Sequence, residues 1–89
     1  MTLLEFLEAR IAEDEARATY VMKYGDWGGL FKPPRILAEC KAKREIIRWW
    51  VDGLIGYVRV DDELTNPLLP LAAIYKDHPD YQQEWSSAT

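Results

Sequence analysis

The chain has 89 residues, which is enough for one domain with a single hydrophobic core. Its apolar share of 48% excludes wholesale disorder, and its net charge of −4 argues against non-specific binding to DNA or to an anionic membrane. The single cysteine, Cys40, excludes an internal disulfide bond and is typical of a reducing compartment.

The sequence predicts a cytoplasmic protein. Its N-terminus lacks the basic and apolar regions of a signal peptide, and no run approaches the roughly 18 apolar residues of a membrane span. Four tryptophans, five tyrosines and two phenylalanines are many for so small an interior. Some of these aromatic side chains should therefore lie on the surface or in an interface.

The first predicted element is a helix over residues 2–24. Thr2 and Glu5 have the spacing of a capping box, and Gly25 is placed to end the helix in the left-handed region. One face carries an apolar stripe, which Asp14 interrupts. The stripe consists of Leu4, Leu7, Ile11, Ala18 and Val21.

A predicted loop follows over residues 25–32. Its large apolar side chains are Trp27, Leu30 and Phe31. We expect them to fold back and cover one end of the helix pair. The alternative is a ligand-binding loop, but two adjacent glycines without a following Lys-Ser/Thr do not make a phosphate-binding loop.

The longest amphipathic run, residues 33–54, predicts a second helix. Pro34 suits the first helical position, and Gly53 and Gly56 mark the end of the helix. Arg44 interrupts the apolar stripe. The stripe consists of Leu37, Cys40, Ile47, Val51 and Leu54.

If the two helices form an antiparallel hairpin, the two interruptions come into register. Asp14 lies as far before the connecting loop as Arg44 lies after it. We therefore predict an Asp14–Arg44 ion pair that sets the register of the two helices. The alternative is that one or both side chains extend to water.

Residues 55–60, IGYVRV, are ambiguous between strand and helix. Their Val, Ile and Tyr residues favour a strand, but Leu54 and Val58 continue the helical spacing. Because a lone strand has no partner elsewhere in the chain, we expect frayed helix or an extended connector. Dimerisation through a strand edge is the alternative. Residues 61–66 are predicted to be a solvated acidic connector.

A short third helix is predicted over residues 67–75, with Asn66 as its cap, and the alternative is that it begins at Pro70. Asp77 can cap a final turn with Asp80 at the reciprocal position. Tyr81 and Trp85 are four residues apart, so they share a face and should dock on the bundle. We place the domain at residues 1–85 and a flexible tail at residues 86–89.

Two candidate chemistries compete with a purely structural interpretation. His78, between Asp77 and Asp80, resembles a general base or a metal ligand, but the chain has no second histidine. We therefore expect no catalytic, cofactor-binding or metal-binding residue and no cofactor. The basic second helix could bind nucleic acid, but Glu39 and other acids are interleaved with its cations, so this interpretation is weaker.

Three blocks resemble an uncharacterised family of small proteins from actinobacteria and the phages that infect them. They cover residues 5–16, 35–47 and 75–85, and the last contains the DHPDY-x-x-EW motif typical of the family. The resemblance supplies an origin but no activity. It implies that Glu39 or Arg44 contacts the terminal motif. The family positions in this chain are Glu39, Lys43, Arg44, Asp77, His78, Pro79, Tyr81, Glu84 and Trp85.

The chain departs from that family in two ways. The stretch between the first and second blocks is short where relatives often carry a long insert, and Ile74 stands where relatives usually have proline. Any role that the insert has in relatives is therefore not implied for this chain.

The sequence thus predicts an all-α fold, with a long antiparallel helical hairpin, a short third helix and a C-terminal turn. The predicted function is non-enzymatic binding of a protein partner, or of itself as a homodimer, through Trp49, Trp50 and Tyr57. Adjacent Trp49 and Trp50 point about 100° apart on a helix, so they should not both be fully buried.

Overall fold

A computed structural model describes residues 1–25, 32–60 and 62–87. The predicted loop residues Trp27, Leu30 and Phe31 lie outside the described residues. Within the described ranges no helix has both the length and the apolar character that crossing a membrane requires. The elements are α1 (Leu3–Tyr24), α2 (Pro33–Val51), β1 (Val58–Val60), β2 (Glu63–Thr65), α3 (Leu68–Ala73) and α4 (Gln83–Ser87).

Helix α1 begins at the predicted capping box. The Thr2 hydroxyl accepts a hydrogen bond from the Glu5 backbone at 3.1 Å, and the Glu5 carboxylate accepts one from the Thr2 backbone at 2.8 Å. These two bonds satisfy amides that have no partner inside the helix. The prediction for Gly25 is wrong, because its φ of −98° and ψ of 173° are extended and not left-handed.

Helix α2 begins with Pro33 and Pro34 and ends with a Schellman arrangement. Gly53 has a φ of +75°, which L residues rarely adopt. Its amide donates to the Trp50 carbonyl at 3.2 Å, and the Leu54 amide donates to the Trp49 carbonyl at 2.8 Å. The predicted helix end at Gly53 is confirmed, although Leu54 falls outside the helix.

The two long helices pack against each other in opposite directions. Leu4, near the start of α1, lines the same cleft as Val51 at the end of α2. Helix α3 and the C-terminal segment pack against this pair of helices. The core contains four of the predicted stripe residues: Leu7, Ile11, Cys40 and Ile47. The other core members are Phe6, Leu68, Ala72, Tyr81 and Trp85.

The prediction of a purely α-helical fold is wrong, because β1 and β2 form an antiparallel hairpin. Val58 pairs with Thr65, and Val60 pairs with Glu63. Residues 58–60 are therefore neither frayed helix nor connector, and residues 63–65 are not a solvated acidic connector. Asp62 at the turn has a φ of +65°, and hairpin turns of two residues require such positive angles. The fold is predominantly helical with a small two-stranded sheet.

The C-terminal third of the chain follows the predicted order of elements. Helix α3 is shorter than predicted, and its cap position is Pro67 and not Asn66. The Asn66 side-chain oxygen, one residue earlier, still accepts a hydrogen bond from the Leu68 amide at 2.8 Å. Tyr81 and Trp85 are both buried and contact each other with ring centroids 5.3 Å apart. Helix α4 includes residues 86 and 87, which the sequence placed in the tail, and residues 88 and 89 lie outside the described residues.

Candidate functional site

The C-terminal DHPDY segment is bound to α1 by a buried arginine, Arg10. The Arg10 side chain is 7% exposed, and its Nη1 lies 3.0 Å from Nδ1 of His78. Its Nη2 donates to Glu13 at 2.8 Å, and Nη1 lies 3.6 Å from the Asp80 carboxylate. A buried cation is tolerated only with such partners, so these contacts place the segment on α1.

The neighbours of His78 determine which imidazole nitrogen carries the proton. Nδ1 accepts a hydrogen bond from the Asp80 backbone amide at 3.0 Å and faces the Arg10 guanidinium, which has only donors. Nδ1 is therefore unprotonated, and the proton of the neutral ring is on Nε2. The lone pair that a general base or a metal ligand would use is already engaged on Nδ1.

The prediction that Asp77 caps a final turn is wrong, because the amide that it would bind donates to His78 instead. Because Pro79 has no amide proton, a cap at Asp77 would have to bind the Asp80 amide, and that amide donates to His78. Asp77 itself is exposed. His78, and not Asp77, therefore holds the turn together.

Phe6 is the aromatic centre of this region. It is completely buried and contacts four rings in edge-on or tilted orientations. Its partners are His78 at 5.7 Å, Tyr75 at 6.2 Å, Tyr81 at 6.0 Å and Trp85 at 5.0 Å between ring centroids. These geometries are those that aromatic pairs prefer. The DHPDY segment thus closes one side of the core.

Tyr75 joins three parts of the chain through its hydroxyl. It donates to the Asp14 carboxylate of α1 at 2.9 Å and accepts from the Lys43 ammonium of α2 at 3.0 Å. Burial and the hydrogen bond to Asp14 raise the pKa of Tyr75 well above its ordinary value of 10. Asp14 interrupts the apolar stripe of α1 because its carboxylate accepts this hydrogen bond from Tyr75.

The predicted Asp14–Arg44 ion pair is wrong by one residue. Arg44 forms a bidentate pair with Glu15, with Nη2–Oε1 and Nε–Oε2 distances of 2.6 and 2.9 Å. The hydrogen bonds from Arg44 lower the pKa of Glu15, and those to Glu15 raise the pKa of Arg44. The pair does join α1 to α2 near mid-helix, which is the role that the sequence suggested for Arg44.

The contact that the family resemblance implied between the second helix and the terminal motif also needs correction. Glu39 forms an ion pair with Arg35 of the same helix at 3.2 Å, and Arg44 binds α1. It is Lys43 that reaches Tyr75, at the start of the terminal block. Sequence reasoning missed Arg10, although a signal existed, since Arg10 lies four residues after the buried Phe6 on the same face of α1.

The basic side chains of α2 are mostly engaged within the molecule. Arg35 and Arg48 pair with acids of the same helix or its cap, Arg44 pairs with Glu15, and Lys43 binds Tyr75. An open cleft of about 240 Å³ lies beside them between α1 and α2. Its lining mixes aliphatic, acidic and basic side chains: Leu4, Glu8, Arg44, Ile47, Arg48, Val51 and Asp52.

A second surface lies at the C-terminal end of α2 and in the β-hairpin formed by β1 and β2. We define the hairpin patch as Trp49, Leu54, Tyr57 and Leu64, whose exposed fractions range from 42% to 71%. Trp50 is half-buried and contacts the Tyr57 ring at 5.3 Å between centroids. The prediction that Trp49 and Trp50 are not both fully buried is confirmed.

Two further observations concern metal ligands and the cysteine thiol. No group of three or more His, Cys, Asp or Glu side chains in the described ranges is placed to hold a metal ion. Cys40 is 1% exposed, and burial raises the pKa of its thiol, which disfavours the reactive thiolate.

The fold and the site define a small, predominantly helical protein whose C-terminal segment is fastened to a helical hairpin. The chain belongs to a family of unknown function, DUF6221, whose model matches residues 1–87. No curated protein and no solved structure is a significant match to the chain.

Proposed function

We propose that this protein is a non-enzymatic protein-interaction protein that binds its partner through the hairpin patch. The observation that carries the proposal is the exposure of Trp49, Leu54, Tyr57 and Leu64, which lie between the C-terminal end of α2 and strand β2. Large apolar side chains that are grouped on a surface are typical of protein interfaces, and aromatic residues are enriched there.

The hydrogen bonds of the terminal motif support the non-enzymatic part of the proposal. His78 is the only histidine, and its Nδ1 lone pair is used to bind Arg10 and the Asp80 amide. The aromatic residues Tyr81 and Trp85 of the same motif are buried against Phe6. The motif therefore offers a partner or a substrate little beyond its exposed carboxylates.

The charges of α2 support a protein partner over nucleic acid. Binding to a phosphate backbone requires free cations on one face, and Arg35, Arg44 and Arg48 are paired with carboxylates. The net charge of −4 acts in the same direction. We further propose, from the terminal motif, an actinobacterial or actinobacteriophage origin and action in the bacterial cytoplasm.

A photo-crosslinking amino acid at position 57 tests the proposal. Tyr57 is 63% exposed in the patch, and Ile74, 60% exposed outside it, provides a matched control position. We expect irradiation in an actinobacterial lysate, or of the concentrated pure protein, to give a discrete adduct from position 57 and none from position 74. Equal labelling at both positions, or no adduct from position 57, would overturn the proposal.

A further inference from the structure

Among the described residues no further strand pairs with either edge of the β-hairpin, and the register of the hairpin defines what each edge offers. Two residues, 61 and 62, separate the paired Val60 and Glu63. In a hairpin with a two-residue turn the closing pair exchanges both backbone hydrogen bonds, and such pairs alternate along the ladder. Arg59 and Leu64 are therefore the non-hydrogen-bonded pair, and their backbone N–H and C=O groups point outward.

Each edge thus presents a single residue for further strand pairing. On β1 this residue is Arg59, and on β2 it is Leu64. Unpaired edge groups are a template for another strand. An antiparallel strand that binds β2 would form two hydrogen bonds with the N–H and C=O of Leu64, whose side chain is 67% exposed.

Symmetric pairing of two copies is favourable on one edge only. Pairing through β1 would place Arg59 directly opposite Arg59 of the second copy, and like charges in that position are destabilising. Pairing through β2 would place Leu64 opposite Leu64 and Glu63 opposite Thr65. That arrangement places no like charges directly opposite each other and adds an apolar cross-strand pair.

We propose that the partner is a second copy of this chain, bound through the β2 edge, and this inference rests on the proposed function. The two hairpins form a four-stranded sheet in the order β1-β2-β2-β1, with Leu64 on the twofold axis. If β1 of one copy paired with β2 of the next, the contact would be head-to-tail. Such a contact would not form a closed dimer and would extend into open filaments. The three-residue strand buries little area, so the dimer is weak and its population depends on concentration.

Sedimentation velocity on the full chain from micromolar to millimolar concentration tests the dimer. We expect the mean mass to rise towards twice the monomer mass. Leu64→Pro removes the outward amide and spares the hairpin ladder, because proline is tolerated where the N–H faces solvent. We expect it to weaken association at least tenfold, whereas Arg59→Pro, the matched change on the other edge, leaves it unchanged.

Circular dichroism checks that both proline variants fold, and Leu64→Lys provides a second way to break the dimer by placing like charges on the axis. A chain that stays monomeric at all concentrations overturns the inference, as do species larger than dimers. Equal effects of the two proline variants overturn it too. A monomeric chain that still gives a position-57 adduct with another protein would contradict only the choice of partner.

Cysteine crosslinking tests the register. In the Cys40→Ala background we expect Leu64→Cys to form a covalent dimer on oxidation, since directly opposed residues in such pairs lie about 5.5 Å apart between Cα atoms. Arg59→Cys, on the same face of the hairpin, should remain monomeric. Equal dimer yields from the two positions would overturn the proposed edge.

Discussion

At the scale of single residues, the arrangement depends on which groups Arg10 and His78 bind. A buried guanidinium needs acceptors, and a neutral imidazole supplies one at 3.0 Å while also accepting the Asp80 amide. Arg10 still has its Nε without a hydrogen-bond partner among the described residues. The loss of a further hydrogen-bond acceptor of Arg10 should therefore lower the free energy of unfolding.

Substitution of His78 tests the value of the Nδ1 acceptor. We expect His78→Asn, whose side-chain oxygen can take the place of Nδ1, to lower the free energy of unfolding by less than about 1 kcal/mol. His78→Leu keeps an apolar contact with Phe6 but leaves two donors without this acceptor, so we expect a loss of about 1–3 kcal/mol. Urea unfolding measures both, and a leucine variant as stable as the asparagine variant contradicts this account.

The residue scale also shows where sequence reasoning stops. The capping box was predictable because Thr2 and Glu5 interact within one turn of helix. The partner of Arg44 was not, because Asp14 and Glu15 differ by about 100° around the helix and the choice depends on how α1 and α2 are rotated. The role of Arg10 was missed because His78 and Asp80, its partners in the terminal segment, lie 68 residues or more away in the chain.

At the scale of elements, the ends of the helices and the hairpin decide the shape. The two long helices were predictable from their apolar stripes and from the proline and glycine residues at their ends. The strands were not, because three residues each give too short a pattern and the acidic run in the sequence between them suggested only a solvated connector. A positive φ at Asp62 is what allows the chain to reverse there.

Gly53 is the described glycine whose backbone conformation restricts which residue can replace it. A Cβ at Gly53 would meet no atom within 4 Å, so the cost of Gly53→Ala comes only from its φ of +75°. We expect a loss of about 1–2 kcal/mol, measured by thermal or urea unfolding. Gly56→Ala, also in open space and without a positive φ, is the matched control and should be neutral or slightly stabilising. Equal effects of the two substitutions would show that backbone strain at Gly53 is not the cause.

At the scale of the whole molecule, one buried core joins α1, α2, α3 and the terminal segment. The apolar stripes predicted most of the core residues that α1 and α2 contribute. The four-residue spacing of Tyr81 and Trp85 predicted that both side chains pack on the bundle. The placement of that segment on Phe6 and Arg10 could not be predicted, since it depends on contacts between the two ends of the chain. The exposed hairpin patch is part of the apolar surface that this core leaves uncovered.

The stability of the molecule should fall at acidic pH. Hydrogen bonds lower the pKa of Glu5 and of Glu15 in the folded state, from an ordinary value of 4.5. Groups with a depressed folded pKa stabilise the fold above the unfolded value, and this stabilisation is lost as pH falls through the folded value. We expect the urea midpoint to decrease from pH 4.5 downward.

The variant Glu15→Gln should flatten that acid decrease and lower the midpoint at neutral pH. Glu45→Gln, which changes an exposed carboxylate on α2, serves as the control and should leave the profile unchanged. An identical pH profile for Glu15→Gln and the unmodified chain would contradict a contribution from the Glu15–Arg44 pair.

The central claim is that a neutral His78, accepting through Nδ1, fastens the terminal segment to α1. The chain has one histidine, so a long-range proton–nitrogen NMR correlation of the imidazole at neutral pH needs no assignment. We predict an unprotonated Nδ1 and a protonated Nε2, with Nδ1 changing its chemical shift in an Arg10→Met variant. A proton on Nδ1, or an imidazole spectrum unaffected by Arg10→Met, would contradict the account.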